Sequence, residues 1–225
     1  GYIVNRLTMN VANTVRPRGA LGRPRLGEAD GRINHLLDAA TEVFLERGFA
    51  GASTREIARR AGASKETLYQ RFPSKASLFA ALIERKSNEV LGTMELSQSA
   101  DASPEAALAR FGERLLAAML HPETQRLHQV VVAEARDFPE LAAAFWAKGP
   151  GLGRAILKDY LLELCRQKRL QRSEVEFASE QFLGALLGGV LLRSTLALPG
   201  LLADERAMRA WAKKTAAAFV RAHLV

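Results

Sequence analysis

Three features of this 225-residue chain point to an all-α fold, with a small N-terminal helix-turn-helix unit and a larger helical body. Ala and Leu abound, Val, Ile and Thr do not, and aromatics make up only 7% of the residues, a balance that favours helices over sheets. Apolar residues recur at helical spacing over long stretches, and no clear strand pattern interrupts them. The periodic stretches open on Ser, Asp or Pro and close on Gly or Pro, as helices do. With 48% apolar residues the chain can bury a full core.

Taken in order, residues 1–25 are expected to form a flexible basic arm, since Asn, Arg, Gly and Pro occur there without periodicity. The arm lacks the apolar core and cleavage signature of a signal peptide, and Met9 offers an alternative start. Its GRPRLG run, 22–27, reads equally as a solvated tail or as an arm reaching phosphates or the minor groove. Residues 28–47 predict an amphipathic helix through Ile33, Leu36, Leu37, Ala40, Val43 and Phe44, ended by Gly48.

The stretch TREIARRAGASKETLYQRFPSK, 54–75, then predicts two short helices around a tight turn. Ser53 and Glu56 have capping-box spacing, and Gly62 sits where a positive φ is needed. Ser64 can cap the second helix, in which Leu68 and Phe72 lie one turn apart and face inward until Pro73 stops it. Lys65, Thr67, Tyr69, Gln70 and Arg71 are left outward, a hydrogen-bonding face suited to the DNA major groove.

Ser74 opens a longer helix expected from Lys75 to about Ser97, and SQSADASP, 97–104, reads as the linker between head and body. The expected organisation is therefore an arm, 1–25, a head, 26–74, a connecting helix and linker, 75–102, and a body, 103–225. In the body, Ser103 and Pro104 start a helix to about Leu120, Pro122 one to near Asp137, and Pro139 a short one. GPGLG, 149–153, is a break before a helix to about Arg169. A Ser173–Glu176 capping box opens an apolar helix over 174–198, and Asp204 caps the last helix, to about Leu224.

The net charge of +8 is unevenly placed. Residues 1–25 carry five Arg and no acid, and residues 54–75 hold six bases against Glu56 and Glu66. The helix before them, 28–47, holds five acids against Arg32 and Arg47. Positive charge thus gathers on the DNA-reading segment and the arm, which suits a polyanionic partner. The single Cys165 excludes an intramolecular disulfide and fits a reducing cytosol; it reads as core filler rather than as a thiol switch. No cofactor is expected: the four His show no metal-ligand spacing, and no phosphate-cradling Gly loop follows a strand.

The stretch from Gly22 to about Leu82 resembles the DNA-binding domain of TetR-family transcriptional regulators. The resemblance rests on GRPR at 22–25, AATEVFLERGF at 39–49, AST before Arg55, IARRAGASKETLYQRF at 57–72 and SKASLFAAL at 74–82. VVVAEARDFPELAAAFW, 130–146, and QFLGALLGGVLLR, 181–193, are similar to the AefR-type C-terminal ligand and dimer domain of one subgroup. The resemblance implies a cytoplasmic homodimer on a palindromic DNA operator, released by a small molecule, more readily a repressor than an activator. It implies phosphate contacts for Thr54, Tyr69 and Lys75, and base-edge contacts for Arg55, Ser64, Lys65 and Thr67, with Gln70 and Arg71 contributing. Arg23 and Arg25 of the arm join this DNA set.

In the body, Glu134 shares an inward stripe with Leu127, Val130, Val131 and Phe138. A buried carboxylate needs a partner. Pairing with Arg193, which interrupts the apolar 182–198 run, is one reading; anchoring a hydrophobic or aromatic effector is the other. Candidate effector walls are Phe111, Leu115, Met119, Phe145, Trp146, Phe182 and Leu186, while His128 reads as exposed or structural. Gly184, Gly188 and Gly189 predict close helix approach, best met by packing the last two helices on a second copy. The nearly uncharged stretch 182–203 has the length of a membrane span, against which Arg193, Pro199 and its small residues argue. A helical carrier of hydrophobic ligands with no DNA function is the alternative reading, and no residue constellation supports an enzyme.

Overall fold

The computed structural model describes residues 26–92, 96, 103–171 and 174–224, with 26–30 by backbone alone. Every regular element among them is helical. The order is α1 (Leu26–Gly51), α2 (Thr54–Arg60), α3 (Lys65–Arg71), α4 (Lys75–Leu91), α5 (Pro104–Leu120), α6 (Pro122–Glu134), α7 (Pro139–Lys148), α8 (Pro150–Arg166), α9 (Val175–Thr195) and α10 (Glu205–His223).

Local signals account for most boundaries. The side chains of Ser64, Ser74, Ser103 and Asp204 each accept a hydrogen bond from the backbone N–H three residues on, as helix N-caps should. Pro139 and Pro150 occupy first-turn positions where their missing N–H leaves no bond unmade. Gly62, at φ +63°, closes α2 with paired bonds from its own N–H to the Arg59 carbonyl and from Ala63 N–H to the Ala58 carbonyl.

Several boundaries differ from expectation. Gly48 breaks α1 at φ +69° but one more turn follows it, to Gly51. Ser53 makes no side-chain cap, and Glu56, its expected reciprocal partner, bonds Arg60 instead at 2.6 Å. The connecting helix α4 ends at Leu91 rather than near Ser97. Gly149 alone interrupts the chain where GPGLG was expected to, and α8 ends at Arg166. Ser173, and most of the linker expected at 97–104, lie outside the described residues. Glu174 stands at the start of α9 without a side-chain cap, and Glu176 pairs with Lys158 of α8.

Two buried clusters organise the molecule. One joins Leu36, Val43 and Phe44 of α1 to Ile57, Leu68 and Phe72 of the short helices and to Leu78, Phe79 and Leu82 of α4. It continues into Leu127 and Val131 of α6 and Leu141 of α7, so the core of the head crosses residue 74. The second gathers Leu108, Phe111 and Leu116 of α5, Leu157 and Leu161 of α8, Phe182 and Leu186 of α9, and Ala216 and Phe219 of α10. By length and composition α9 could cross a bilayer, yet Phe182, Leu186 and Val190 bury one face of it in this second core.

Close helix approach occurs at Gly112 of α5, where an added Cβ would meet Leu186 Cδ1 at 3.1 Å and the Ala212 Cβ at 3.3 Å. Within the chain, a Cβ on Gly184 or Gly188 would meet nothing within 4 Å and one on Gly189 would meet Leu201 Cδ2 at 3.8 Å, so the close approach expected of these glycines, to a second copy, has no counterpart inside one subunit.

Candidate DNA-reading face and apolar cavity

On the helix-turn-helix, the Ser64 hydroxyl accepts from Thr67 N–H at 3.1 Å and lies 3.0 Å from the Thr67 hydroxyl, which sets the start of α3. Leu68 is fully buried and Phe72 nearly so. Turning that edge inward leaves Lys65, Thr67, Tyr69, Gln70 and Arg71 on the exposed side. Thr54 and Tyr69, fifteen residues apart, meet through their hydroxyls at 3.0 Å, and Lys65 Nζ stands 5.5 Å from the centre of the Tyr69 ring. Arg55 is exposed at the start of α2 beside them. Arg23 and Arg25 lie outside the described residues.

Not every base of the segment is free. Arg60 donates to both Glu46 oxygens, at 2.9 and 2.6 Å, and to Glu56, with Glu42 at 3.7 Å. The hydrogen bonds from Arg60 hold the Glu46 carboxyl below its usual range.

Lys75, expected at a phosphate, is seated against the end of α1. Its ammonium donates to the carbonyls of Phe49, Ala50 and Ala52 at 2.5, 3.2 and 3.2 Å, and stands 4.6 Å from the centre of the Phe49 ring. Three carbonyls at and just past the end of α1 thus accept from the ammonium, as many as it has protons. Burial pulls its pKa below the ordinary lysine value, against the opposing pull of Glu134, Glu140 and Tyr69.

Glu134 meets the same turn from the other side. One carboxylate oxygen accepts Phe49 N–H at 2.8 Å, the other Ala50 N–H at 2.5 Å. The positive φ of Gly48 aims these amides at the carboxylate, and a Cβ on Gly48 would collide with it. Glu134 therefore does not pair with Arg193, and it is not among the residues that line the apolar cavity. Arg193 instead donates through Nε to the Pro199 carbonyl at 2.8 Å and closes the turn after α9.

A cavity of about 550 Å³ lies among α4, α5, α6, α7, α8 and α9. Of the expected walls, Leu115, Met119, Phe145 and Trp146 line it. Phe111, Phe182 and Leu186 do not: they are buried in the second core, where Phe182 stacks near Phe111 and edge-on to Phe219. The reason is helical phase. On α9, Phe182, Leu186 and Val190 turn to the core, while Leu183, Gly184, Leu187, Gly188 and Leu191 turn to the cavity.

Sequence reasoning missed the polar members of the cavity, Lys86, Ser87, Thr124, His128, Arg154 and Glu180. His128 is half-buried, burial lowers its pKa, and its ring lies 5.8 Å from that of Phe145. A signal was present: His128, Val131, Val132 and Ala135 form their own helical stripe, and all four line the cavity.

Comparison with known proteins agrees with this two-part arrangement. Residues 36–82 match the domain described as bacterial regulatory proteins, tetR family. Residues 106–223 match the C-terminal domain of AefR-like transcriptional repressors. The activator FasR of Mycolicibacterium smegmatis is 47% identical over 70 residues, 31% of this chain and 32% of FasR. The regulator SrpR of Pseudomonas putida is 26% identical over 52% of this chain and 53% of its own. The matches thus span about half or less of these curated relatives. Among solved structures, a regulator from Mesorhizobium loti superposes with a TM-score of 0.73 at 25% identity, over 88% of this chain and 98% of its own. The Flavonoid-responsive Regulator FrrA gives a TM-score of 0.71 at 29% identity, over 87% and 98%. With the helix-turn-helix and more than half of the chain matched in the right order, this chain belongs to the TetR family of transcriptional regulators.

Proposed function

We propose that this chain is a cytoplasmic, ligand-released repressor that holds a palindromic operator as a homodimer. Repression is inferred from the match of residues 106–223 to a repressor domain. In this reading residues 26–74 are the reading head, 75–102 the lever and 103–225 the effector and dimer unit, with 1–25 as a basic arm. Thr54 and Tyr69 hold phosphates, and Arg55, Ser64, Lys65, Thr67, Gln70 and Arg71 meet the groove.

The observation that carries the reading is the double attachment of α4 and α6. Ile83, Lys86 and Leu91 of α4 and Leu127, His128 and Val131 of α6 line the cavity. The same helices grip the end of α1 through Lys75 and Glu134, just before the reading helices begin. A molecule that fills the cavity and shifts either helix therefore acts on the turn that orients the head. Only a ligand that favours one arrangement over the other can move the equilibrium. The released state is one in which two recognition helices no longer match major grooves roughly 34–36 Å apart.

A homodimer through α9 and α10 is supported by the exposure of Phe177, Leu192 and Leu196 along α9, which are more than half accessible. The apolar cavity favours a hydrophobic or aromatic effector, in keeping with the flavonoid response named for FrrA. The test is an anisotropy titration of DNA from upstream of this gene and its neighbours, with and without such compounds. The reading requires salt-dependent operator binding that effector weakens; equal affinity with and without saturating effector defeats it.

A further inference from the structure

The cavity has walls specific enough to indicate the chemistry of its occupant, an inference that rests on reading it as the effector site. Its charged members are already matched. Lys86 bonds Glu123 at 2.6 Å, and Arg154 is ion-paired with Glu180 while its guanidinium lies 5.0 Å from the centre of the Trp146 ring. A carboxylate or phosphate entering here would compete with Glu123 and Glu180 for cations that each already have a carboxylate partner.

Three uncharged polar side chains remain on the wall, Ser87, Thr124 and His128; the two hydroxyls lie on helices, where each can bond a backbone carbonyl of the preceding turn, which leaves the imidazole of His128. Neither of its ring nitrogens has a hydrogen-bond partner among the described residues, although the side chain is half-buried. An imidazole in that position offers one donor and one acceptor without a charge. A molecule that brings a hydroxyl or carbonyl to it makes a hydrogen bond that no other described residue makes.

The remaining walls favour a flat shape. Phe145 and Trp146 supply aromatic faces, and α9 supplies a stretch without side chains where Gly184 and Gly188 have no neighbour within 4 Å of a would-be Cβ. Each of these glycines costs its helix about 1 kcal/mol relative to Ala. Within the chain that cost brings no closer packing, only room in the cavity.

We propose that the cavity takes an uncharged, planar, largely apolar ring compound whose single hydroxyl or carbonyl group hydrogen-bonds to His128. Recognition is by stacking along Phe145 and Trp146 and by one neutral hydrogen bond, not by charge.

Fluorescence titration of the full chain, free of DNA, with four probes tests this: 1-hydroxypyrene, pyrene, pyrene-1-carboxylate and, as a competitor, 1-decanol. The hydroxyl should tighten binding about tenfold over pyrene, the scale of one buried hydrogen bond. The carboxylate and decanol should each bind at least about tenfold more weakly than 1-hydroxypyrene. His128→Phe should bring 1-hydroxypyrene down to the level of pyrene while pyrene binding persists, which also shows that the variant is folded. The proposal is overturned if the carboxylate binds as tightly as the phenol, if decanol does so, if His128→Phe leaves the hydroxyl advantage intact, or if no probe binds. Operator release is measured separately. Hydroxypyrene that binds as expected but leaves operator affinity unchanged would defeat the effector reading and leave the ligand chemistry standing.

Discussion

At the scale of single residues, the junction of head and body depends on Gly48, Glu134 and Lys75. Gly48→Ala puts a side chain at φ +69° and into the space of the Glu134 carboxylate, and should cost about 1–3 kcal/mol of stability in urea unfolding. Glu134→Ala leaves the Phe49 and Ala50 amides without their carboxylate and should cost about as much. Its second consequence decides whether the contact transmits the signal: operator affinity of the free protein should drop and effector should change it less than in wild type. Unchanged coupling would leave Glu134 as a structural clamp only. His128 carries a pH signature. Its folded pKa lies below the ordinary 6.5, so the unfolded chain binds a proton first as pH falls. The stability it contributes is complete above about 6.5 and declines below that value, towards its lowered folded pKa. The charged groups that share the cavity wall with it are Lys86, paired with Glu123, and the Arg154–Glu180 pair, and His128→Gln should remove the part of the slope that is due to the imidazole. Glu134 was expected to be buried and therefore to need a partner; it is only partly buried, and it has two. The identity of those partners was not legible, because the amides of Phe49 and Ala50 are eighty-five and eighty-four residues away and a backbone group leaves no mark in sequence.

At the scale of elements, what is encoded locally was legible. Ser64, Ser74, Ser103 and Asp204 cap their helices because the side chain and the amide it serves are three residues apart. The pattern failed at Ser53, and Glu56 is paired with Arg60, four residues on and also bound to α1. Helical phase explains the cavity in the same way. The apolar run of α9 has residues facing two sides, and periodicity alone did not say which side was core. Phe182 and Leu186 were therefore grouped with Phe145 and Trp146, although they belong to another surface. The corrected phase gives a prediction for α9. Gly188→Leu has open space to enter and removes no packed neighbour, so the helix should gain about the 1 kcal/mol that Gly withholds. Binding of a pyrene-sized ligand should meanwhile fall, because the new side chain occupies the cavity. Loss of stability in this variant, measured by thermal unfolding, would show that Gly188 is needed for packing against a second copy instead.

At the scale of the whole molecule, charge is sorted by what it touches rather than by where it lies in sequence. Six bases fall within 54–75, which is why the segment reads as a polyanion-binding face. The fold withdraws two of them: Arg60 into a cluster with Glu42, Glu46 and Glu56, and Lys75 onto the carbonyls at the end of α1. Arg55, Arg59, Lys65 and Arg71 remain exposed. Salt dependence separates the two groups. Each phosphate charge neutralised by a base adds about 0.9 to the steepness with which log affinity falls against log salt. If Arg71 neutralises a phosphate in each half of a dimer, Arg71→Gln should make the slope shallower by about 2. Arg60→Gln should leave the slope almost unchanged, and any loss of affinity should be uniform across salt concentrations, because that guanidinium orients α2 against α1 instead of meeting DNA. A matching change of slope in both variants would mean that Arg60 leaves its carboxylates on binding. The acidic face of α1 would then be a counter-charge that DNA displaces, and operator binding would reshape the head rather than dock on it.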